Sequence, residues 1–186
     1  MIKDFKLSPN VNPIYIKSYL ATIKYKGKMK SWEILKSHDS VAILLYHTDL
    51  NKFIFVKQFR APLYKLDKCG MSIELCAGLV DKECSLTQIA KEEIEEECGY
   101  LIDNSNIEHV ISCLSSPGRS SSFQHMFYAE VNHSQKVNEG GGINDEDIEV
   151  LYLSNEEVDS FFETENFPMS AGLAYMLLWW RGRKNV

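Results

Sequence analysis

The sequence predicts an α/β fold in which a mixed sheet is covered by helices on two sides. Three observations carry this expectation. Segments of strand character outnumber those of helical periodicity, and the helical ones are interspersed among the strands. The composition is that of an ordinary globular chain: 186 residues, 45% hydrophobic and 25% charged. At this length one domain is the default, with enough apolar surface for a real core.

Pro9 and Pro13 bracket an entry segment, and IYIKSYLATIKYKG (14–27) then alternates and is rich in β-branched and aromatic residues, as a strand is. SWEILK (31–36), VAILLYH (41–47) and KFIFVKQF (52–59) are further strands, the last two joined by the turn HTDLN. MSIELC (71–76) is a strand running into Ala77 and Gly78. Residues 85–98 form a helix with Ser85 as N-cap and Gly99 as its stop. IEHVISCL (107–114) and QHMFYAEV (124–131) are strands joined by the loop SSPGRSSS, and IEVLYL (148–153) follows the Gly-rich acidic loop NEGGGINDED. Two helices, near 155–163 and 169–183, end the chain. Residues 1–37 are expected to form a separate small β layer and 38–186 the main domain.

Charge and cysteine usage narrow the function. With 20 Lys and Arg against 26 Asp and Glu, the net charge is −6, which argues against a carrier of nucleic-acid polymer. A small phosphate-bearing ligand stays open, because a metal ion can bring one to an acidic site. The five Cys are odd in number and form no C-x-x-C pair, as expected of a reduced cytoplasmic chain. The N-terminus lacks a signal-peptide apolar stretch, and the longest apolar run, Ala171–Trp180, falls far short of the ~20 residues a bilayer requires. The expectation is no membrane partner. His47, His109, His125 and His133 show no ligand spacing and read as structural or surface residues.

The helix KEEIEEEC (91–98) carries the chemistry. A charge run is ordinarily a solvated face. On a wheel of about 100° per residue with Leu86 at zero, Ala90, Ile94 and Cys98 fall near 40°, 80° and 120°, an inward apolar arc. Glu93 and Glu97 fall near −20° and 20°, inside that arc, whereas Glu92 and Glu95 point outward. Two inward carboxylates one turn apart must be protonated, neutralised by basic residues, or neutralised by a cation. No Lys or Arg of this helix points that way, and paired oxygen donors suit a hard ion such as Mg²⁺.

The span Glu74–Tyr100 resembles the Nudix box. Gly78, Glu93, Ile94, Glu96, Glu97, Gly99 and Tyr100 stand in register with it, while Cys84 replaces its first Glu and Glu92 its Arg. Lys91 or Lys82 is the candidate substitute for that Arg. KSWEILK, FVKQFRAPLY, ELCAGLVD and the GGG-acidic loop extend the similarity, toward the branch of this family that hydrolyses uridine diphosphate glucose. The resemblance implies an α/β/α sandwich, usually a homodimer to whose partner site the N-terminal β layer contributes. It implies Mg²⁺- or Mn²⁺-dependent hydrolysis of a nucleotide sugar, most simply UDP-glucose to UMP and glucose 1-phosphate. The alternatives are ADP-ribose or ADP-sugar hydrolysis, and, given Cys84 and Glu92, a non-catalytic nucleotide-binding module.

By the same resemblance the metal ligands are Glu93, Glu97, the Ala77 carbonyl, Glu96 (directly or through water) and Glu146. The catalytic candidates are Glu96, Glu146 and Asp145, since Asn144 at the usual base position cannot take a proton. The glycines Gly140, Gly141 and Gly142 suit a mobile lid. Trp32 and Glu33 resemble a base-binding pair, with a core Trp as the ordinary alternative. Arg60 resembles a phosphate contact, with a surface ion pair as its alternative. Arg119, in the Ser-rich loop, is the remaining substrate candidate. Ser37 occupies the place of a second substrate Arg, with Lys36 nearest to it.

Overall fold

A computed structural model describes residues 6–144, 146–164 and 167–184. Its centre is β3 (Ser40–His47), apolar at successive positions because both faces of the strand are covered. Val41, Ile43 and Leu45 face one helix, α2 (Leu86–Cys98). Ala42, Leu44 and Tyr46 face the other layer, built from α3 (Asn155–Glu163) and α4 (Ala171–Lys184). The result is the expected α/β/α sandwich, with Ile89, Ala90 and Ile94 of α2 in one core and Val158, Phe161, Leu173, Met176 and Leu177 in the other.

The seven-stranded sheet is mixed. β3 runs parallel to β8 (Phe123–Val131), which pairs antiparallel with β7 (Ile107–Leu114) through a bulge between His109 and Ile111. On its other side β3 meets β4 (Lys52–Phe59) only at Leu45–His47, after which the two strands part. The chain from Met71 to Leu79 fills that fork. Its first half, β5 (Met71–Glu74), pairs with β4; its second half, β6 (Cys76–Leu79), changes partner and pairs with β3. The single strand expected at 71–76 is thus divided at the buried Leu75. β9 (Ile148–Leu153) lies along the outer side of β4.

Helix ends follow the expected chemistry. The Ser85 hydroxyl accepts the Gln88 amide hydrogen bond, and Gly99 closes α2 with a left-handed φ of 76°. Ser154 and Glu157 form a reciprocal capping box at α3. A short helix that sequence periodicity did not reveal, α1 (Ala61–Asp67), follows β4. It starts with Pro62 in its first turn and stops at Lys68, φ 62°.

The N-terminal strands stand apart from this sandwich. β1 (Lys17–Tyr25) and β2 (Lys28–Lys36) form a separate two-stranded sheet, turned by Lys26 and Gly27 with φ of 50° and 77°. Two positive φ values in succession make the tight hairpin turn that lets the strand at 31–36 begin three residues earlier. The hairpin is tied to the body where the Leu35 amide donates to the Arg119 carbonyl, 2.7 Å. One face carries Tyr19, Ile23, Tyr25, Trp32 and Ile34, all of them exposed. Eight of the chain's 20 basic residues but only two of its 26 acids fall in 1–37, so this segment carries +6 and the remainder −12. No helix among the described residues is long and apolar enough to cross a membrane.

Candidate active site

The inward carboxylates of α2 meet β6. Glu97 is buried, 5% exposed, and its Oε2 accepts a 2.9 Å hydrogen bond from the Ala77 amide. β6 is bonded to β3 on one side alone, and the amide and carbonyl of an extended residue project together. The Ala77 carbonyl therefore opens on the same side as the amide that holds Glu97. One residue on, Gly78 has no side chain because Glu93 occupies the space. A Cβ there would overlap the Glu93 carboxylate and lie 2.7 Å from its Cγ.

Burial makes both carboxylates reluctant to ionise. Desolvation, reinforced by Glu96 and Glu146 and opposed by Lys82, pushes Glu93 up to about 7. For Glu97, desolvation is again the largest cause; the Ala77 amide opposes it, the Glu93 and Glu146 charges add to it, and the outcome is about 8. Among the described residues, no three His, Cys, Asp or Glu side chains close into a ready cage. What is present is an all-oxygen set around two uncompensated acids, Glu93 and Glu97, with Glu96, Glu146 and a backbone carbonyl beside them. Hard divalent cations take that donor set.

The acidic loop is fastened to the end of α2. A helix leaves its last carbonyls without intrahelical donors, and here each finds one. The Gly99 amide reaches Glu95 O, Tyr100 reaches Ile94 O, Gly142 reaches Glu96 O at 3.0 Å, and Gly141 reaches Glu97 O at 2.9 Å. The Lys136 ammonium completes the set at Cys98 O, 3.0 Å. The glycine run expected to suit a mobile lid is thus hydrogen-bonded to the end of α2 in this structure. Beyond it, the Glu146 carboxylate accepts the Ile143 amide hydrogen bond at 2.9 Å and lies within electrostatic reach of Glu93, Glu97 and Arg60. Asp145 lies outside the described residues.

Arg60, at the end of β4, forks onto Glu74 of β5 through Nε–Oε1, 2.9 Å, and Nη2–Oε2, 2.6 Å. This pair raises the guanidinium above its usual range and lowers Glu74, although burial of that carboxyl opposes the fall. Glu74, whose partnership with Arg60 no sequence spacing signals, holds the fork in one plane. Arg60, Glu74, Ser72, Ala77 and Gln124 line a cavity of about 560 Å³ whose apolar wall comes from α1 and Met169. A larger cavity, about 630 Å³, lies between α3, α4 and the β3–β4 turn; no carboxylate of α2 lines either cavity, but only the smaller one holds Arg60 and Ala77.

The box departures have a local partner. Glu92, in the Arg position, is held by Lys82 at 2.7 Å and Gln88 at 3.0 Å, so Lys82 is the cation that answers it. Trp32 is 46% exposed on the aromatic face of the hairpin, and Glu33, its neighbour in β2, points to the opposite face. Arg119 is exposed, does not wall the cavity beside Arg60, and is tied to the hairpin through its backbone carbonyl.

No family model matches the chain. Individual proteins do. The chain is 31% identical to the uridine diphosphate glucose pyrophosphatase of Mus musculus, over 89% of its own length and 87% of that protein's. It is 33% identical to the Bos taurus protein of that name over 85% of each. To the GDP-mannose pyrophosphatase of Escherichia coli K12 it is 35% identical, over 82% of this chain and 80% of that one.

Proposed function

The chain belongs to the Nudix hydrolase family, and from that premise we propose that it hydrolyses the pyrophosphate bond of a nucleotide sugar. UDP-glucose, cleaved to UMP and glucose 1-phosphate, is the first substrate, because two relatives that match 89% and 85% of the chain carry the name uridine diphosphate glucose pyrophosphatase. The GDP-mannose pyrophosphatases favour GDP-mannose as a second reading. One observation carries the reading: burial pushes Glu93 and Glu97 up to about 7 and about 8 beside the Ala77 and Gly78 backbone, with Arg60 within electrostatic reach of Glu97 and Glu146. A structural domain has no use for two such acids, and a diphosphate hydrolase has.

Glu93, Glu97, the Ala77 carbonyl, Glu96 and Glu146 are the residues that would hold divalent cations, Mg²⁺ or Mn²⁺. Bound there, such ions would screen the diphosphate charge and lower the pKa of the attacking water. The chain's own groups do the remaining work. Arg60, pre-oriented by Glu74, offers its remaining N–H donors to phosphate oxygens. Glu146 takes the proton from the attacking water as the P–O–P bridge is cleaved, with Glu96 or Asp145 as the alternative base. Trp32 and Glu33 contribute to base binding, and Arg119 to the sugar or phosphate. Residues 1–37 form a dimerising layer and 38–186 the Nudix domain; the charge of +6 on residues 1–37 against −12 on the remainder supports pairing of two copies. Cytoplasmic location fits five cysteines that all carry free thiols.

The test is a panel of UDP-glucose, GDP-mannose and ADP-ribose with purified chain and Mg²⁺, products identified by ³¹P NMR. Preferred turnover of UDP-glucose is expected. A strong preference for ADP-ribose, or no turnover of any of the three, would overturn the assignment.

A further inference from the structure

The glycine run Gly140–Gly142 touches the carriers of the site at three points. The Gly141 and Gly142 amides bond the carbonyls of Glu97 and Glu96, the two residues whose side chains belong to the acidic cluster. A Cβ on Gly140 (φ 71°) would overlap the Glu97 carbonyl oxygen and lie 2.8 Å from the Cys98 carbonyl carbon. Those obstacles are backbone, so no side-chain rearrangement relieves them. A Cβ on Gly142 (φ 83°) would lie 2.5 Å from Glu146 Oε2 and 2.8 Å from Glu146 Cβ. All three φ values are positive, a conformation that suits glycine and strains other residues.

We propose that Gly140 and Gly142 are positioning residues that fix Glu146 against the end of α2, so that the acidic loop arrives docked before any ligand binds. The inference rests on the reading of Glu146 as a site carboxylate. Two features of the loop make docking the resting state. Releasing it would break both backbone hydrogen bonds to the Glu96 and Glu97 carbonyls, and the Ile143 amide already orients the Glu146 carboxylate within the loop. Gly140 thus sets where the loop lies on the helix, and Gly142 sets where Glu146 lies on the loop.

Hydrogen exchange of the full-length wild-type protein, without Mg²⁺ or substrate, reads the docking directly. The Gly141 and Gly142 amides are expected to exchange at least ~100-fold more slowly than an unstructured peptide. Exchange within tenfold of the unstructured rate overturns the docking. Steady-state kinetics on UDP-glucose then reads the positioning. Gly140→Ala and Glu146→Gln should each lower kcat at least ~30-fold with KM changed less than threefold, and the double variant should fall no further than Glu146→Gln alone. Additive losses in the double variant, or an unchanged kcat in Gly140→Ala, overturn the positioning role. Slow amides together with an unaffected Glu146→Gln would instead remove Glu146 from the site and leave the docking intact.

Discussion

Replacing Glu97 with Gln should stabilise the metal-free protein at alkaline pH while destroying its activity. Glu97 is 5% exposed and its carboxyl is pushed from the usual 4.5 to about 8. A carboxyl raised in the fold binds its proton more tightly there than in the unfolded chain. Its contribution is therefore fully present below about 4.5 and is lost as pH climbs to about 8. At about 1.4 kcal/mol per pH unit, the ceiling at pH 9 is between ~4 and ~5 kcal/mol, and relaxation around the charge reduces it to ~2–4 kcal/mol. Gln keeps an oxygen to accept the Ala77 amide, so the variant removes the charge and leaves the hydrogen bond. With a urea m-value of about 2 kcal/mol/M, the Glu97→Gln midpoint should rise by about 1–2 M over wild type at pH 9 in EDTA, and hardly at all at pH 5. Excess Mg²⁺ should raise the wild-type midpoint at pH 9 and leave the variant's in place. Equal midpoints at pH 9, or the same pH slope in both proteins, would refute the assignment of Glu97 as an uncompensated buried acid.

Gly78→Ala should lower kcat about 100-fold by displacing Glu93, with the midpoint for Mg²⁺ activation moved to higher concentration; unchanged Mg²⁺ titration would show that Glu93 is not engaged. Arg60→Lys loses the planar fork on Glu74 and should raise KM about tenfold in initial-rate assays. The same variant should change stability by less than about 1 kcal/mol, since the Arg60 side chain is 46% exposed. Ile34→Lys, on the aromatic face of the hairpin, should convert dimer to monomer in analytical ultracentrifugation, and a wild-type protein already monomeric would sink that reading of the N-terminal layer.

The helix that carries the acids was readable from residues alone because its ends and its wheel agree. Ser85 caps it, Gly99 stops it, and Glu93 and Glu97 fall among Leu86, Ala90 and Ile94. α1 escaped because seven residues give no period and none of its side chains is buried. Only punctuation, Pro62 at its start and a left-handed Lys68 at its end, marked it. Glu74 was invisible for a different reason: it reaches Arg60 through strand pairing between β4 and β5, a relation that no spacing along the chain encodes. The glycine run shows the limit most sharply. Glycine that allows motion and glycine that allows close approach are spelled alike, and the distinction lies in the α2 carbonyls that Gly141 and Gly142 meet.

The fork between β3 and β4 leaves the site with a component that substitution does not reach. In an unbroken sheet the Ala77 amide would have been consumed by a neighbouring strand; here it is surrendered to Glu97. Every residue type except proline brings the same amide to that place, and every type brings the same carbonyl. Side-chain changes at 77 alter the packing against Ala42, its cross-strand partner, and the wall of the cavity beside Arg60, but not the amide or the carbonyl. This anchor is thus inherited through topology rather than through residue identity. It vanishes only if the change of strand partner at Leu75 does, so a lesion that let β6 stay on β4 would silence the site with every acid of α2 still present.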